Sequence, residues 1–196
     1  KLIISMKLVF ATNNQNKIFE IQKILPPSFD ILSLKDINCL EELPETQDTI
    51  EGNALQKSSY VLNHYHYDCF ADDTGLEIEA LEGEPGVYSA RYAGPQRNTV
   101  DNIEKVLHKL KDHHHRNAQF KTVISLQLKG KVYSFEGICK GRITENIQGT
   151  GGFGYDPIFK PDGYDLTFAE MPLPLKNKIS HRGRAVTKLM SFLKDF

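Results

Sequence analysis

The sequence predicts an α/β fold in a single domain, because stretches with the pattern of strands alternate with amphipathic helical stretches. Lys7 to Ala11 is a short apolar run before a helical repeat, and Tyr67 to Ala71 is a second such run. Phe120 to Leu128 and Val132 to Cys139 are joined by Lys-Gly-Lys, a connection typical of a hairpin. At 196 residues the chain has the length of one domain, or of one domain with two lobes.

The composition is that of an ordinary globular protein, with 40% hydrophobic and 25% charged residues and a net charge of −1. We therefore expect neither a nucleic-acid polymer nor a membrane as partner. Three cysteines without a C-x-x-C pair argue against a disulfide framework or a zinc knuckle and favour a reduced, cytoplasmic protein. Lys7 interrupts the first apolar stretch. We expect the natural chain to begin at or near Met6, so that the domain covers 6–196.

The first strand, Lys7 to Ala11, leads through a polar turn into a helix that Pro26-Pro27 ends. Its apolar positions recur at helical spacing: Ile18, Ile21, Ile24 and Leu25. Free N–H groups at the start of a helix attract an anion, and Thr12, Asn14 and Lys17 add donors there. The plainer interpretation is a simple N-cap, and this stretch alone favours it.

A second strand is expected over Phe29 to Leu34, before a loop and a long helix. Asp48 or Thr49 can cap that helix, which runs to about Tyr65. The positions predicted to face inward are Ile50, Ala54, Leu55, Ser58, Val61 and Leu62. Lys57 lies on this helix, and its plain interpretation is a solvated surface lysine.

Two adjacent carboxylates, Asp72 and Asp73, follow the strand that ends at Ala71. Thr74-Gly75 predicts a turn, and Leu76 to Leu81 alternates like a half-exposed strand. Neighbouring side chains on a strand point to opposite faces, so one carboxylate can face a cleft while the other braces the loop. Such a pair suits a divalent metal or a base for water, whereas the plainer interpretation is a solvated turn.

The second half of the chain contains two motifs that resemble known kinds of site, one for a metal and one for a dinucleotide. His113-His114-His115 follows an amphipathic helix over Thr99 to Leu110 and is typical of a polar loop rather than a metal site. Gly149 to Gly154 matches G-x-G-x-x-G, but that motif needs a following helix, and Tyr155 to Phe159 looks extended. We therefore reject a dinucleotide site. Phe153 in this loop either stacks on a base or packs on the core.

The last predicted helix, Arg184 to about Lys194, carries cations where a helix favours acids. Ser180 is its predicted cap, which places His181 and Arg182 in its first turn. Cations there oppose the helix dipole. Such a local conflict is typical of a functional site.

These stretches together resemble the inosine triphosphate pyrophosphatase family, in particular its bacterial non-canonical purine NTP pyrophosphatases (XTP/dITP diphosphatases). Four blocks carry the resemblance in the family's order: 11–17, 71–94, 152–159 and 176–183. A weaker match runs from Leu43 to Lys57. The resemblance implies an elongated mixed β-sheet flanked by helices, two lobes around a central cleft, and a homodimer.

The resemblance also implies an activity: hydrolysis of ITP, dITP and XTP to the monophosphate and pyrophosphate, which removes them from the nucleotide pool. It implies Mg²⁺, held by Glu45 and Asp73, with Asp73 as the general base. Asp72 would brace the turn or hold a second metal. The phosphate-binding residues would be Thr12, Asn13, Asn14, Gln15, Asn16, Lys17, Lys57 and Thr74. The base-binding residues would be Phe153, Gly154, Tyr155, Asp156, Lys176, His181 and Arg182.

Two alternatives stay open: another metal-dependent nucleotide hydrolase on the same fold, and a nucleotide-binding module without catalysis. Lys and Arg side chains only donate hydrogen bonds, so they suit a 6-keto purine and leave the amino group of adenine unpaired. An unmatched buried polar group costs about 1–3 kcal/mol. We therefore expect ATP to be rejected.

Overall fold

The computed structural model describes residues 7–26 and 29–195, so the expected start at Met6 lies outside the described residues. The chain is mixed α/β, as predicted. The helices are α1 (Gln15–Ile24), α2 (Ile50–Tyr65), α3 (Thr99–Lys109), α4 (Leu173–Ile179) and α5 (His181–Lys194). The strands are β1 (Lys7–Phe10), β2 (Asp30–Leu32), β3 (Cys69–Ile78), β4 (Pro85–Gly86), β5 (Asn117–Leu128), β6 (Lys131–Ile143) and β7 (Phe159–Pro161). Within those ranges, no helix combines the length and the apolar character needed to cross a membrane.

The strands form one mixed sheet in the order β2-β1-β3-β5-β6-β7, with β4 added to β3. β1 pairs in parallel with β2 and with β3, where Val9 lies opposite Leu32 and Cys69. β6 and β7 pair antiparallel. The predicted hairpin between β5 and β6 is confirmed, with its turn at Lys129-Gly130.

The described chain divides into two compact units. Unit 1 comprises the chain up to Asp73, Val123–Glu136, and the chain from Ala185 onward, whereas unit 2 comprises Thr74–Thr122 and Gly137–Arg184. β3, β5, β6 and α5 each contribute residues to both units. The single two-lobed domain over 6–196 stays a prediction.

Unit 1 has an apolar cluster on each face of β1. Leu8 and Phe10 pack with α1, α5 and Phe70, whose ring stacks on Phe10 at 4.6 Å between centroids. Val9 and Ala11 belong to the other cluster, which includes Val61 of α2. Both faces of β1 are buried, which explains why its sequence is a continuous apolar run rather than an alternation.

Unit 2 is built around aromatic side chains and α3. Phe120, Phe159 and Phe168 pack together, with centroid distances of 4.6–6.0 Å. Ile103 and Val106 of α3 join this cluster. The predicted helix over Thr99 to Leu110 is therefore confirmed within one residue, and its apolar stripe faces the core.

Several local predictions were wrong. The chain does not turn at Thr74-Gly75, because β3 continues from Cys69 to Ile78, and Glu79–Leu81 form a 3₁₀ turn instead of strand. Asp156–Ile158 form another 3₁₀ turn where an extended stretch was expected. Leu55 is 44% exposed, so it lies outside the buried face of α2. The last two helices also differ from the prediction. α4 was not predicted, and α5 begins at His181 rather than Arg184.

Candidate active site

Lys57 lies at the centre of a cluster of carboxylates in unit 1. The helical period of α2 places it one turn after Asn53, on the buried face of the helix, and only 5% of it is exposed. Its Nζ donates to Glu45 Oε1 at 2.7 Å and to the Asp72 carbonyl oxygen at 2.7 Å. The same Nζ lies 3.5 Å from Asp73 Oδ1. The interpretation of Lys57 as a solvated surface lysine is therefore wrong.

The charges in this cluster shift one another's pKa values. Burial lowers the pKa of Lys57, but the carboxylates of Asp73, Glu45 and Asp72 together raise it by more than burial lowers it. The net shift of the Lys57 pKa is therefore upward, and the ammonium stays charged. Burial also raises the pKa of Asp73, against the opposing effect of Lys57 and Lys17. A carboxylate with a raised pKa is a stronger base than an ordinary aspartate.

Asp72 and Asp73 have separate roles because they lie on opposite faces of β3. The side chain of Asp72 is fully buried, and Lys17 Nζ donates to its Oδ1 at 3.0 Å. Asp73 instead faces Lys57 of α2. The contact with Lys17 ties Asp72 to the start of α1 rather than to the predicted turn, which is absent, and the burial of its carboxylate argues against a second metal site.

Asn53 joins the cluster, although the sequence did not single it out as a site residue. Its Oδ1 accepts a hydrogen bond from the Gln47 backbone N–H at 2.9 Å, which directs the amide nitrogen the other way. That nitrogen donates to Asp73 Oδ2 at 3.4 Å. A polar residue on the buried face of an amphipathic helix is the signal that could have identified it.

A magnesium ion at this cluster would be held by Glu45 and Asp73. Within the described ranges, no three side chains of His, Cys, Asp or Glu gather closely enough to form a metal site by themselves. Mg²⁺ usually binds one or two carboxylates together with phosphates and waters. Glu45 and Asp73 contact the same ammonium, and their side chains are 26% and 12% exposed. Asp72 does not fit, since it is fully buried against Lys17.

The start of α1 is capped as the plainer interpretation predicted. Asn14 Oδ1 accepts from the backbone N–H groups of Asn16 at 3.0 Å and Lys17 at 3.2 Å. Thr12 Oγ1 accepts from the Asn14 N–H at 3.1 Å. These three amides already have protein partners, while Asn13, Gln15 and Asn16 are exposed to solvent. A phosphate at this turn would therefore be held mainly by side chains.

Unit 2 gathers cations around the aromatic ring of Phe153. Lys176 Nζ lies 5.2 Å, and the guanidinium carbon of Arg182 5.4 Å, from the centroid of this half-buried ring. Asp156 Oδ2 accepts from the Phe153 N–H at 2.8 Å and from Lys176 Nζ at 2.6 Å. The buried carboxylate of Asp156 thus fixes both the ring-bearing loop and one of the cations.

Glycines shape the loop that presents Phe153. Gly152 and Gly154 have φ values of +70° and +60°, where residues with a Cβ are strained. A Cβ on Gly152 would also collide with Asp156 Oδ2, whereas a Cβ on Gly154 would meet nothing. Of these two glycines, Gly152 is therefore the one required both for its backbone conformation and for its lack of a side chain.

The first turn of α5 is buried and packs against β5. Ser180 Oγ accepts from the Gly183 N–H at 3.1 Å, which confirms the predicted cap. The ring of His181 stacks on Phe120 at 4.5 Å between centroids. Arg182 donates to Thr74 Oγ1 at 3.4 Å. Arg182, whose charge conflicts with the helix dipole, is thus buried in the protein interior beside Phe153.

Tyr155, a predicted base-binding residue, has the contacts of a core residue. Its ring belongs to the apolar cluster of unit 2, and its hydroxyl donates to the Ser89 carbonyl at 2.8 Å. Gly154, beside it, is half-buried at the tip of the loop. We therefore interpret Tyr155 as a residue that holds the loop rather than one that reads a base.

Comparisons with known proteins cover almost the whole chain. A model described as the Ham1 family matches residues 8–192. The dITP/XTP pyrophosphatase of Flavobacterium johnsoniae is 64% identical over 188 residues, which are 96% of this chain and 98% of that protein. A HAM1 protein from Coxiella burnetii has a solved structure with a TM-score of 0.90 at 34% identity, covering 97% of this chain and 100% of that one. The Ham1 protein of Staphylococcus aureus has a TM-score of 0.88 at 39% identity, covering 97% and 99%.

Proposed function

The chain belongs to the Ham1 family, and from that premise we propose that it hydrolyses non-canonical purine nucleoside triphosphates to the monophosphate and pyrophosphate. It is a nucleoside-triphosphate diphosphatase, and its relatives indicate dITP and XTP as substrates. ITP shares their 6-keto purine and belongs to the same class. The observation that carries the chemical proposal is the charged Lys57 between the carboxylates of Glu45 and Asp73.

Asp73 is the proposed general base. Its raised pKa suits it to take a proton from water as that water attacks the α-phosphorus and pyrophosphate leaves. Asn53 and Lys57 hold its two carboxylate oxygens, so the side chain is oriented before substrate arrives. Lys57 also places positive charge where negative charge builds up on the phosphates.

We propose Mg²⁺ as the cofactor, with Glu45 and Asp73 as the residues that hold it. When bound, the ion supplies positive charge that polarises phosphate oxygens and water. Lys17 and the exposed side chains at the start of α1 are proposed to hold the phosphate groups that lie away from the attacked phosphorus.

The purine base is proposed to stack on Phe153. A base stacked on an aromatic side chain is stabilised by about 1–3 kcal/mol. Lys176 and Arg182, beside that ring, carry only donors and therefore suit the 6-keto oxygen of hypoxanthine and xanthine. The exocyclic amino group of adenine finds no acceptor in these two side chains.

A cytoplasmic homodimer completes the proposal. The three cysteines are buried free thiols, which is consistent with a reducing compartment. The dimer follows from the family resemblance and is tested by measuring the molar mass in solution.

The direct test is a panel of ITP, dITP, XTP, GTP and ATP with Mg²⁺, scored for both products. We expect monophosphate and pyrophosphate from the first three, and little product from ATP. IDP and orthophosphate would instead show cleavage at the γ-phosphate, and binding without turnover would indicate a non-catalytic module. Omission of Mg²⁺ with added EDTA should abolish turnover.

A further inference from the structure

We propose that Thr122, which lies outside the site described so far, is a positioning residue that holds Thr74 and, through it, Arg182. This inference rests on the proposed function. Thr122 lies on β5 in unit 2 and is fully buried, so its hydroxyl can act only on neighbouring protein groups.

The face of β5 that carries Thr122 supports the first turn of α5. Phe120 and Thr122 are two residues apart on the strand and therefore point to the same side of the sheet. Phe120 stacks on His181 from that side. Thr122 contacts Thr74, and Thr74 accepts a hydrogen bond from Arg182, the residue that follows His181 in this turn.

The hydroxyl of Thr122 needs a partner. The following residues of β5, Val123 and Ile124, are apolar and buried, and a valine at 122 would fill nearly the same volume. A buried hydroxyl is unfavourable unless it makes a hydrogen bond. Thr122 Oγ1 lies 2.6 Å from Thr74 Oγ1, a short hydrogen bond between hydroxyl groups. The partner of this hydroxyl is thus a residue of the candidate site.

Thr74 passes the restraint on to Arg182. The guanidinium can only donate, so Thr74 Oγ1 accepts from Arg182 at 3.4 Å while it is bonded to Thr122. Thr74 is half-buried and has few side-chain rotamers, so one hydrogen bond is enough to select among them. Arg182 then lies 5.4 Å from the ring centroid of Phe153, and the chain of contacts ends at the proposed purine site.

The test compares Thr122→Val with Thr122→Ser. Valine keeps the buried methyl group and replaces the hydroxyl by a second methyl, whereas serine keeps the hydroxyl and removes the methyl. We expect Thr122→Val to raise KM for ITP about 3- to 10-fold with kcat within about twofold, the loss expected from one hydrogen bond. We expect Thr122→Ser to leave KM within about twofold while lowering Tm more than valine does.

The two roles predict opposite orders of KM, whereas serine lowers Tm more than valine in either case. If Thr122 only fills the core, serine raises KM at least as much as valine does, and that result would overturn the proposal, as would identical KM values in all three proteins. In a Thr74→Val background, Thr122→Val should have no further effect on KM, whereas additive effects would contradict a connection through Thr74.

Binding of IMP by calorimetry separates this inference from the proposed function. If the wild-type protein fails to hydrolyse ITP, the proposed function fails. The dissociation constants of IMP for wild type and the two variants still test the positioning role, and the same 3- to 10-fold weakening with valine alone is expected. Equal affinity in all three proteins would overturn it.

Discussion

A charged lysine on the buried face of α2 decides which carboxylates of this protein can act together. Lys57 contacts Glu45 from a loop and Asp73 from β3, residues that are far apart in sequence. Without its ammonium, the two carboxylates would repel each other in a partly buried environment. The lysine therefore stabilises the arrangement before any metal or phosphate binds.

Replacement of Asp73 by Asn should remove turnover and keep the fold. We expect kcat for ITP to fall about 10²–10⁴-fold, the usual contribution of a general base. Burial raises the pKa of Asp73, so stability is lost as pH rises from the ordinary aspartate pKa, where the unfolded chain ionises, to the raised pKa of the native carboxylate. A neutral Asn avoids that loss, and Tm at pH 7 should equal or exceed that of wild type. Retained turnover would exclude Asp73 as the base. Asp165→Asn, which changes an exposed aspartate, is the matched control and should keep wild-type turnover.

Replacement of Lys57 by Met should destabilise the protein even without substrate. Loss of one partner leaves buried carboxylates uncompensated, which costs about 3 kcal/mol in comparable cases. Urea unfolding without Mg²⁺ measures the change. The matched control is Lys109→Met, which breaks an exposed pair with Glu84, and such pairs contribute less than about 1 kcal/mol. Equal losses in both variants would show that Lys57 is not a structural centre.

At the scale of elements, the uninterrupted β3 is what places Asp72 and Asp73 on opposite faces. Asp, Thr and Gly are common in turns, and the sequence therefore predicted one here. The strand continues because each polar side chain finds a partner on its own face: Lys17 for Asp72, Lys57 for Asp73, and Thr122 for Thr74. Those partners come from other elements, which local propensity cannot reveal.

The glycine loop before Asp156 predicts a difference between two similar substitutions. Gly152→Ala and Gly154→Ala both introduce a Cβ at positive φ, with backbone strain of roughly 1–3 kcal/mol. Only Gly152→Ala displaces Asp156, which holds the Phe153 N–H and Lys176. We expect KM for ITP to rise at least tenfold in Gly152→Ala and less than threefold in Gly154→Ala. Equal KM values would show that Asp156 does not organise the loop.

Helix caps and apolar periods were predictable from sequence, whereas the buried polar partners were not. Thr49 and Ser180 cap their helices as predicted, because capping depends on a few neighbouring residues. α4 was missed because Pro172 and Pro174 suggest a break, although proline is well tolerated in the first turn of a helix. The motif residues were identified through the family resemblance. The helical period of α2 could have indicated Asn53, whereas Thr122 required the three-dimensional contacts.

At the scale of the whole molecule, the thiols report on folding. Cys69 in unit 1 and Cys139 in unit 2 are buried, and burial raises their pKa to about 12 and about 11. Thiolates, not thiols, react with disulfide reagents. We expect both to be labelled very slowly at pH 8 in the native protein and rapidly in urea. Fast labelling of either one without denaturant would show that its unit opens locally.

Each unit is assembled from separate stretches of chain, and this has a consequence for protein synthesis. The apolar cluster of unit 1 combines Leu8 and Phe70 with Leu189 and Leu193 of α5. A nascent chain therefore cannot complete that cluster until α5 has left the ribosomal exit tunnel. The apolar faces of its early strands therefore stay incompletely covered until α5 has been synthesised. Chaperone contact during synthesis should be longest for these segments.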